Sequence, residues 1–216
     1  VTGVQTCALP ISIEFLKISG QISLIIATFL TVISGIFYLT KYWKYFLEDW
    51  GMSNQLLIYL STLGPIGKNF PAPGTFGSIV GLLTVVFLSW QLDLAFFYIS
   101  FFFIPLIIVG IPICNKAEQI LGTKDPSEVI WDEFTSVPLV FIGLPIQEKW
   151  DGSPENILWL MIGFLLFRLF DIKKPLGIYH VQKYKNGIGV MIDDVLAAIY
   201  SGFTLYLLHT FSLSFS

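Results

Sequence analysis

Long, nearly uncharged apolar runs constrain this chain more than any other feature. They cover residues 21–40, 76–92, 94–113, 134–146, 157–170 and 193–211. A run of about 20 apolar residues is long enough to cross the hydrocarbon core of a bilayer as a helix. The expected fold is therefore all-α, a polytopic membrane helical bundle, with the 134–146 run short for a full crossing. Pro105 and Pro112 should kink the 94–113 segment.

Composition agrees. The 216 residues are 55% hydrophobic and only 12% charged, with a mean hydropathy of +0.75. A soluble domain carries about a quarter charged residues. The net charge of −3 and the lack of a basic motif argue against a nucleic-acid partner. Membrane lipids are the expected surroundings. Trp43, Trp50, Trp90, Trp150 and Trp159 fall near predicted span ends, as an interfacial belt requires. Cys7 and Cys114 are too far apart in sequence, and too few, for a disulfide framework or a zinc site.

Three segments are expected. Residues 1–12 back-translate to a widely used short-read sequencing adaptor and are set aside as an artefact, Cys7 with them. Residues 13–50 read as an additional N-terminal transmembrane and amphipathic segment. Residues 51–216 form the main domain. Within it, Asp125 is placed as an N-cap, with Pro126 first in a helix that runs through Asp132 and Glu133. Residues 171–192 read as a Lys/Gly-containing loop, with Asp193 opening the last span.

If each apolar helix crosses once, segments 41–75, 114–133 and 168–192 share one face. Ten of the twelve Lys/Arg residues lie there, all but Lys17 and Lys149. By the positive-inside rule that face is cytoplasmic. All the acidic motifs fall on it too, which points to one composite, cytoplasm-facing site.

Charges are costly beside a membrane and tend to mark function. D-P-S-E-V-I-W-D-E-F (125–134), F-R-L-F-D-I-K-K-P (167–175) and N-G-I-G-V-M-I-D-D (186–194) gather Asp132, Glu133, Asp171, Asp193 and Asp194. Such carboxylates suit a hard divalent cation such as Mg²⁺. Asp132, Glu133, Asp171 and Asp194 are the metal-ligand candidates, and all five acids are candidates for catalysis. Glu128 is placed one turn before Asp132, on the same helix face. For Asp132 and Glu133 alone, a solvated helix start is an equal reading.

Arg168 and Lys174 flank Asp171 at i,i+3 and read as phosphate clamps; the alternative is local ion pairing at a helix end. Gly187 and Gly189 would let backbone approach a ligand closely. In P-A-P-G-T-F-G-S (71–78), backbone N–H groups and the hydroxyls of Thr75 or Ser78 can cradle phosphate oxygens. His209 reads as structural or interfacial. His180 lies in the site-side loop.

In order, A-P-G-T-F-G-S (72–78), the 125–134 and 167–175 motifs, and G-I-G-V-M-I-D-D-V-L-A (187–197) resemble the phosphatidylglycerophosphatase A family over roughly residues 52–211. The resemblance implies an all-α fold, a site facing the cytoplasm of a bacterial inner membrane, and Mg²⁺ as cofactor. It also implies removal of the phosphomonoester from phosphatidylglycerophosphate, the five acids matching the family's acidic positions and Arg168 and Lys174 its basic ones. Several positions depart from the pattern. Phe70 and Gly177 stand for prolines, Ser136, Asn186 and Ala198 for glycines, and Tyr179 for an arginine. Loss of that arginine bears on headgroup recognition rather than metal binding.

Two other classes remain open at this level. A cation channel or transporter would want acids at mid-span on several helices, whereas here they collect at one face beside basic groups. A catalytically impaired lipid-phosphate-binding relative is suggested by Tyr179 and Ser136. Nothing in the sequence sets the nucleophile, the acyl-chain preference or the oligomeric state.

Overall fold

The computed structural model describes residues 53–175, Ile178 and 187–214, together with the isolated positions Leu30, Ser34 and Tyr38. The chain divides into two compact units, Val1–Trp50 and Gly51–Ser216. The readings of residues 1–12, of the 21–40 span and of Trp43, Trp50, Gly177, Tyr179, His180 and Asn186 lie outside the described residues.

In the second unit the described residues form helices α1 (Asn54–Ser61), α2 (Ile66–Asn69), α3 (Pro73–Leu92), α4 (Phe96–Leu121), α5 (Trp131–Val140, continued by a 3-10 turn over Phe141–Gly143), α6 (Pro154–Lys173) and α7 (Ile188–Leu213), with no strand among them. Local chemistry sets several ends. Ser53 caps α1 by accepting from the Leu56 N–H, and Ser153 caps α6 by accepting from the Asn156 N–H, with Pro154 at the first helical position. Gly122 ends α4 at φ 69°, a left-handed turn that glycine adopts without steric cost.

The short helix α5 is the centre of the bundle, packed against α3, α4 and α7. It is buried from Thr135 through Val140. Missing side chains let its neighbours come close. A Cβ on Gly77 would meet Ile130, one on Gly81 the Phe134 carbonyl, and one on Gly143 the carbonyl of Gly202. Ser100 on α4 adds a hydrogen bond to the Pro138 carbonyl at 2.6 Å. Phe96, Ile99, Phe103, Val137, Phe141, Phe167 and Leu205 fill the surrounding core. Close packing of this kind drives helix association in lipid, where the tails are as apolar as the side chains.

Among the described residues, three helices are long and apolar enough to cross a membrane: α3, α4 and α7. Their outward positions, among them Leu83, Phe87, Phe102 and Phe203, are exposed and apolar. Of the five crossings expected in this unit, these three qualify by length and composition. At ten residues α5 is too short, and α6 includes Glu155, Arg168, Asp171 and Lys173. Both α5 with its continuation and α6 still run from end to end of the bundle. The Glu148 carbonyl accepts from the Phe96 N–H, and Lys149 pairs with Asp93, at the end opposite Asp132 and Lys174. Pro105 and Pro112 do lie inside α4.

Trp90 is exposed at the end of α3, but Trp159 is buried with its ring 4.8 Å from that of His209. That tryptophan belongs to the core rather than to a belt, and His209 is structural.

Three local expectations are corrected. The helix carrying Asp132 begins at Trp131, not Pro126. Residues 125–130 are held away from helical geometry by a bond from the Ile130 N–H to the Ser61 carbonyl (2.9 Å) and by Gly67, which packs on the Glu128 backbone. Glu128 therefore shares no helix face with Asp132. Helix α6 continues through Asp171 to Lys173, so Asp171 is helical. Helix α7 starts at Ile188 behind Gly187 (φ 67°), which places Asp193 and Asp194 in its second turn.

Candidate active site

One end of the bundle collects the start of α3, the start of α5, the end of α6 and the second turn of α7. A cavity of about 310 Å³ opens there, lined by Gly74, Thr75, Asp125, Asp132, Glu133 and Arg168 among others. Asp132, Glu133 and Asp194 each turn a carboxylate oxygen toward the others, all within 4.8 Å.

Two ion pairs divide the five acids. Arg168 Nη1 donates to Asp171 Oδ2 at 2.7 Å and to Ser78 Oγ at 3.1 Å, while Ser78 itself donates to the Gly74 carbonyl. The Lys174 ammonium bonds Asp193, so of the local pairings in the alternative reading Arg168–Asp171 forms, and Asp171–Lys174 gives way to a pair between helices. Asp132, Glu133 and Asp194 are left without a cationic hydrogen-bond partner. Asp132 Oδ1, Glu133 Oε2 and Asp194 Oδ2 are buried with no partner at all.

Buried carboxylates in this state resist ionisation. Burial, reinforced by the charge of Glu133, pushes Asp132 well above the ordinary carboxylate range. Burial lifts Glu133 to about 7, although its hydrogen bond with Asp132 and the charge of Arg168 pull the other way. Burial alone would lower Lys174, but the hydrogen bond and charge of Asp193 outweigh it and raise the ammonium's proton affinity.

Three carboxylates that bring one oxygen each within 4.8 Å of the others, and that each hold an orphaned buried oxygen, fit a hard divalent cation. Asp171 stands beside Asp194 but gives one oxygen to Arg168. Thr75 lines the cavity at the start of α3, where the first N–H groups of a helix have no intrahelical acceptor and favour an anion.

Other expected residues have different posts. Ser78 is fully buried under Arg168 and does not line the cavity. Gly187 is a packing residue: a Cβ there would meet the Ile111 carbonyl and the Asn115 backbone. Gly189 is buried in the first turn of α7 and also lies off the cavity. Sequence reading missed Gly74, whose absent side chain makes room for Glu133 Oε1 and leaves Arg168 Nη1 3.8 Å from where a Cβ would stand. Its place in A-P-G-T was the available signal.

A profile of the phosphatidylglycerophosphatase A family matches residues 59–209. The chain is 37% identical over 158 residues to a phosphatidylglycerophosphatase A of Haemophilus influenzae, covering 68% of this chain and 91% of that protein. It is 30% identical over 150 residues to the Escherichia coli protein of the same name, covering 68% of this chain and 76% of that protein. No solved structure matches it.

Proposed function

We propose that this chain, which belongs to the phosphatidylglycerophosphatase A family, hydrolyses the terminal phosphomonoester of phosphatidylglycerophosphate to phosphatidylglycerol and phosphate. The observation that carries the reading is the cluster of Asp132, Glu133 and Asp194, each with one orphaned buried oxygen, the first two lining a cavity with Arg168. Asp132, Glu133 and Asp194 would hold Mg²⁺, with Asp171 adjacent. A bound Mg²⁺ would supply charge neutralisation and polarise a phosphoryl oxygen.

The chain's own groups do the rest. Arg168 and the free N–H groups at Gly74 and Thr75 take the non-bridging phosphate oxygens. Ser78 and Asp171 fix the guanidinium from behind. Lys174, held by Asp193, adds positive charge at the rim, and Asp193 acts through it. Water attacks phosphorus, the bond to the glycerol oxygen breaks, and that oxygen leaves with the proton that the water has given up. A carboxylate oxygen of the cluster left free by the cation accepts the proton that water releases and returns it to the leaving glycerol oxygen.

The site lies on the cytoplasmic side of a bacterial inner membrane. Lys116, Lys124, Arg168 and Lys174 accompany it, whereas Lys149 pairs with Asp93 near the far end of α3. Purified full-length protein in detergent should release phosphate from phosphatidylglycerophosphate, stop in EDTA and recover with added Mg²⁺. No release under any of these conditions would overturn the activity, and full release in EDTA would overturn the metal.

A further inference from the structure

We propose that the Ser136 hydroxyl belongs to the cation site: it hydrogen-bonds to a water of the cation's hydration shell and through that water supports the Asp132, Glu133 and Asp194 set. This rests on the reading above that the set holds a divalent cation. Ser136 is fully buried, and its Oγ has no hydrogen-bond partner.

Other buried hydroxyls of this bundle behave differently. Ser100 and Ser201 bond to the carbonyl four residues earlier, and Thr135, the neighbour of Ser136, bonds to the Trp131 and Asp132 carbonyls. Ser136 leaves that option unused.

Position explains what the hydroxyl is for. Ser136 follows Glu133 by three residues and Asp132 by four, spacings that bring Cβ atoms within about 5–6 Å on a helix. A helical side chain also leans over the turn that precedes it, which here is the turn carrying both acids. Asp132 Oδ1 and Glu133 Oε2 in that turn are orphaned as well, as is Asp194 Oδ2 across from it. Mg²⁺ characteristically retains several waters when carboxylates bind it. A shell water gives Ser136 Oγ the partner that the protein does not.

The test is Mg²⁺ titration calorimetry on the full chain in detergent, with thermal melts in EDTA, for the unmodified protein, Ser136→Ala and Asp194→Asn. Groups that support a metal from its outer shell typically contribute 10–100-fold in affinity. Ser136→Ala should bind Mg²⁺ roughly tenfold more weakly, at the lower end of that range, and Asp194→Asn should show no saturable binding. In EDTA, Ser136→Ala should melt at or above the unmodified protein, because it removes a buried group that lacks a partner.

Equal Mg²⁺ affinity for Ser136→Ala and the unmodified protein, with binding lost in Asp194→Asn, would overturn the role of the serine and leave the cation site standing. An unmodified protein that binds no Mg²⁺ would overturn both. A Ser136→Ala variant that melts lower in EDTA with unchanged affinity would mark Ser136 as a packing residue and overturn the proposal.

Discussion

The Lys174 ammonium closes on the carboxylate of Asp193, joining the cap of α6 to the second turn of α7. Lys174 adopts a left-handed backbone at φ 43°, an uncommon conformation for a residue with a side chain. Asp193 is buried, so the lysine is its means of carrying charge there. This contact separates Asp193 from its neighbour Asp194, which faces Asp132 and Glu133.

The two adjacent aspartates should therefore fail differently. Asp194→Asn should abolish Mg²⁺ binding while the bundle still folds. Asp193→Asn should keep Mg²⁺ affinity within a few-fold but lower the melting temperature. Lys174→Ala, which strands a buried carboxylate, should destabilise by roughly 3 kcal/mol. Calorimetry and thermal melts on the same samples check both halves. Equal loss of metal binding in the two aspartate variants would show that Asp193 is a ligand.

Acidity should control the metal site in a defined direction. Glu133 titrates near 7 in the fold against an ordinary value of 4.5, and Asp132 is shifted the same way. A raised carboxylate contributes stability that is complete below its unfolded value and is lost as pH rises through the folded one. Metal-free protein should thus melt at a lower temperature at pH 8 than at pH 5.5. Added Mg²⁺ should narrow that gap, because binding displaces the protons. From pH 6 to 8 the Mg²⁺ affinity should rise by up to about tenfold per unit for each proton released. A flat affinity profile would rule out protonated carboxylates at the site.

The acids, the basic partners and their clustering at one end were legible in the sequence, because few charges interrupt long apolar runs. What escaped was set by tertiary contacts between distant segments. Nothing near Ile130 announces that its N–H bonds Ser61, so residues 125–130 read as a helix start. The early start of α7 depends on Gly187 packing against Ile111 and Asn115 on α4. Lys174 could be matched by spacing only to Asp171; its actual partner comes from another helix. Trp159 at a span end suits an interface equally well until His209 is seen against it.

Membrane orientation yields a third prediction. With Cys7 replaced by Ser and Cys114 buried, single cysteines at Phe70 and Asp151 report opposite ends, both positions being exposed. Phe70→Cys should react with an impermeant maleimide only from the cytoplasmic side, and Asp151→Cys only from the opposite side. Reversed labelling would invert the site, and same-side labelling would break the count of crossings.

Gly74 gives the sharpest steric test of the cavity. Its backbone is helical, at the first turn of α3, so alanine costs nothing in conformation there. The added Cβ would nevertheless occupy the space of Glu133 Oε1 and press toward Arg168. Both are central to the proposed chemistry, one as a metal ligand and one as the phosphate clamp. A displacement of about 1 Å at reacting groups can cost on the order of 100-fold in rate. Gly74→Ala should therefore lower kcat by about that factor, in line with the cost of misplacing reacting groups, while the melting temperature stays within a few degrees. Thr75→Ala, one residue on, adds no bulk and should cost far less, because a backbone N–H remains to meet the phosphate. Phosphate release measured on the three proteins at saturating substrate decides the matter, and an unimpaired Gly74→Ala would mean that Glu133 is not held where catalysis needs it.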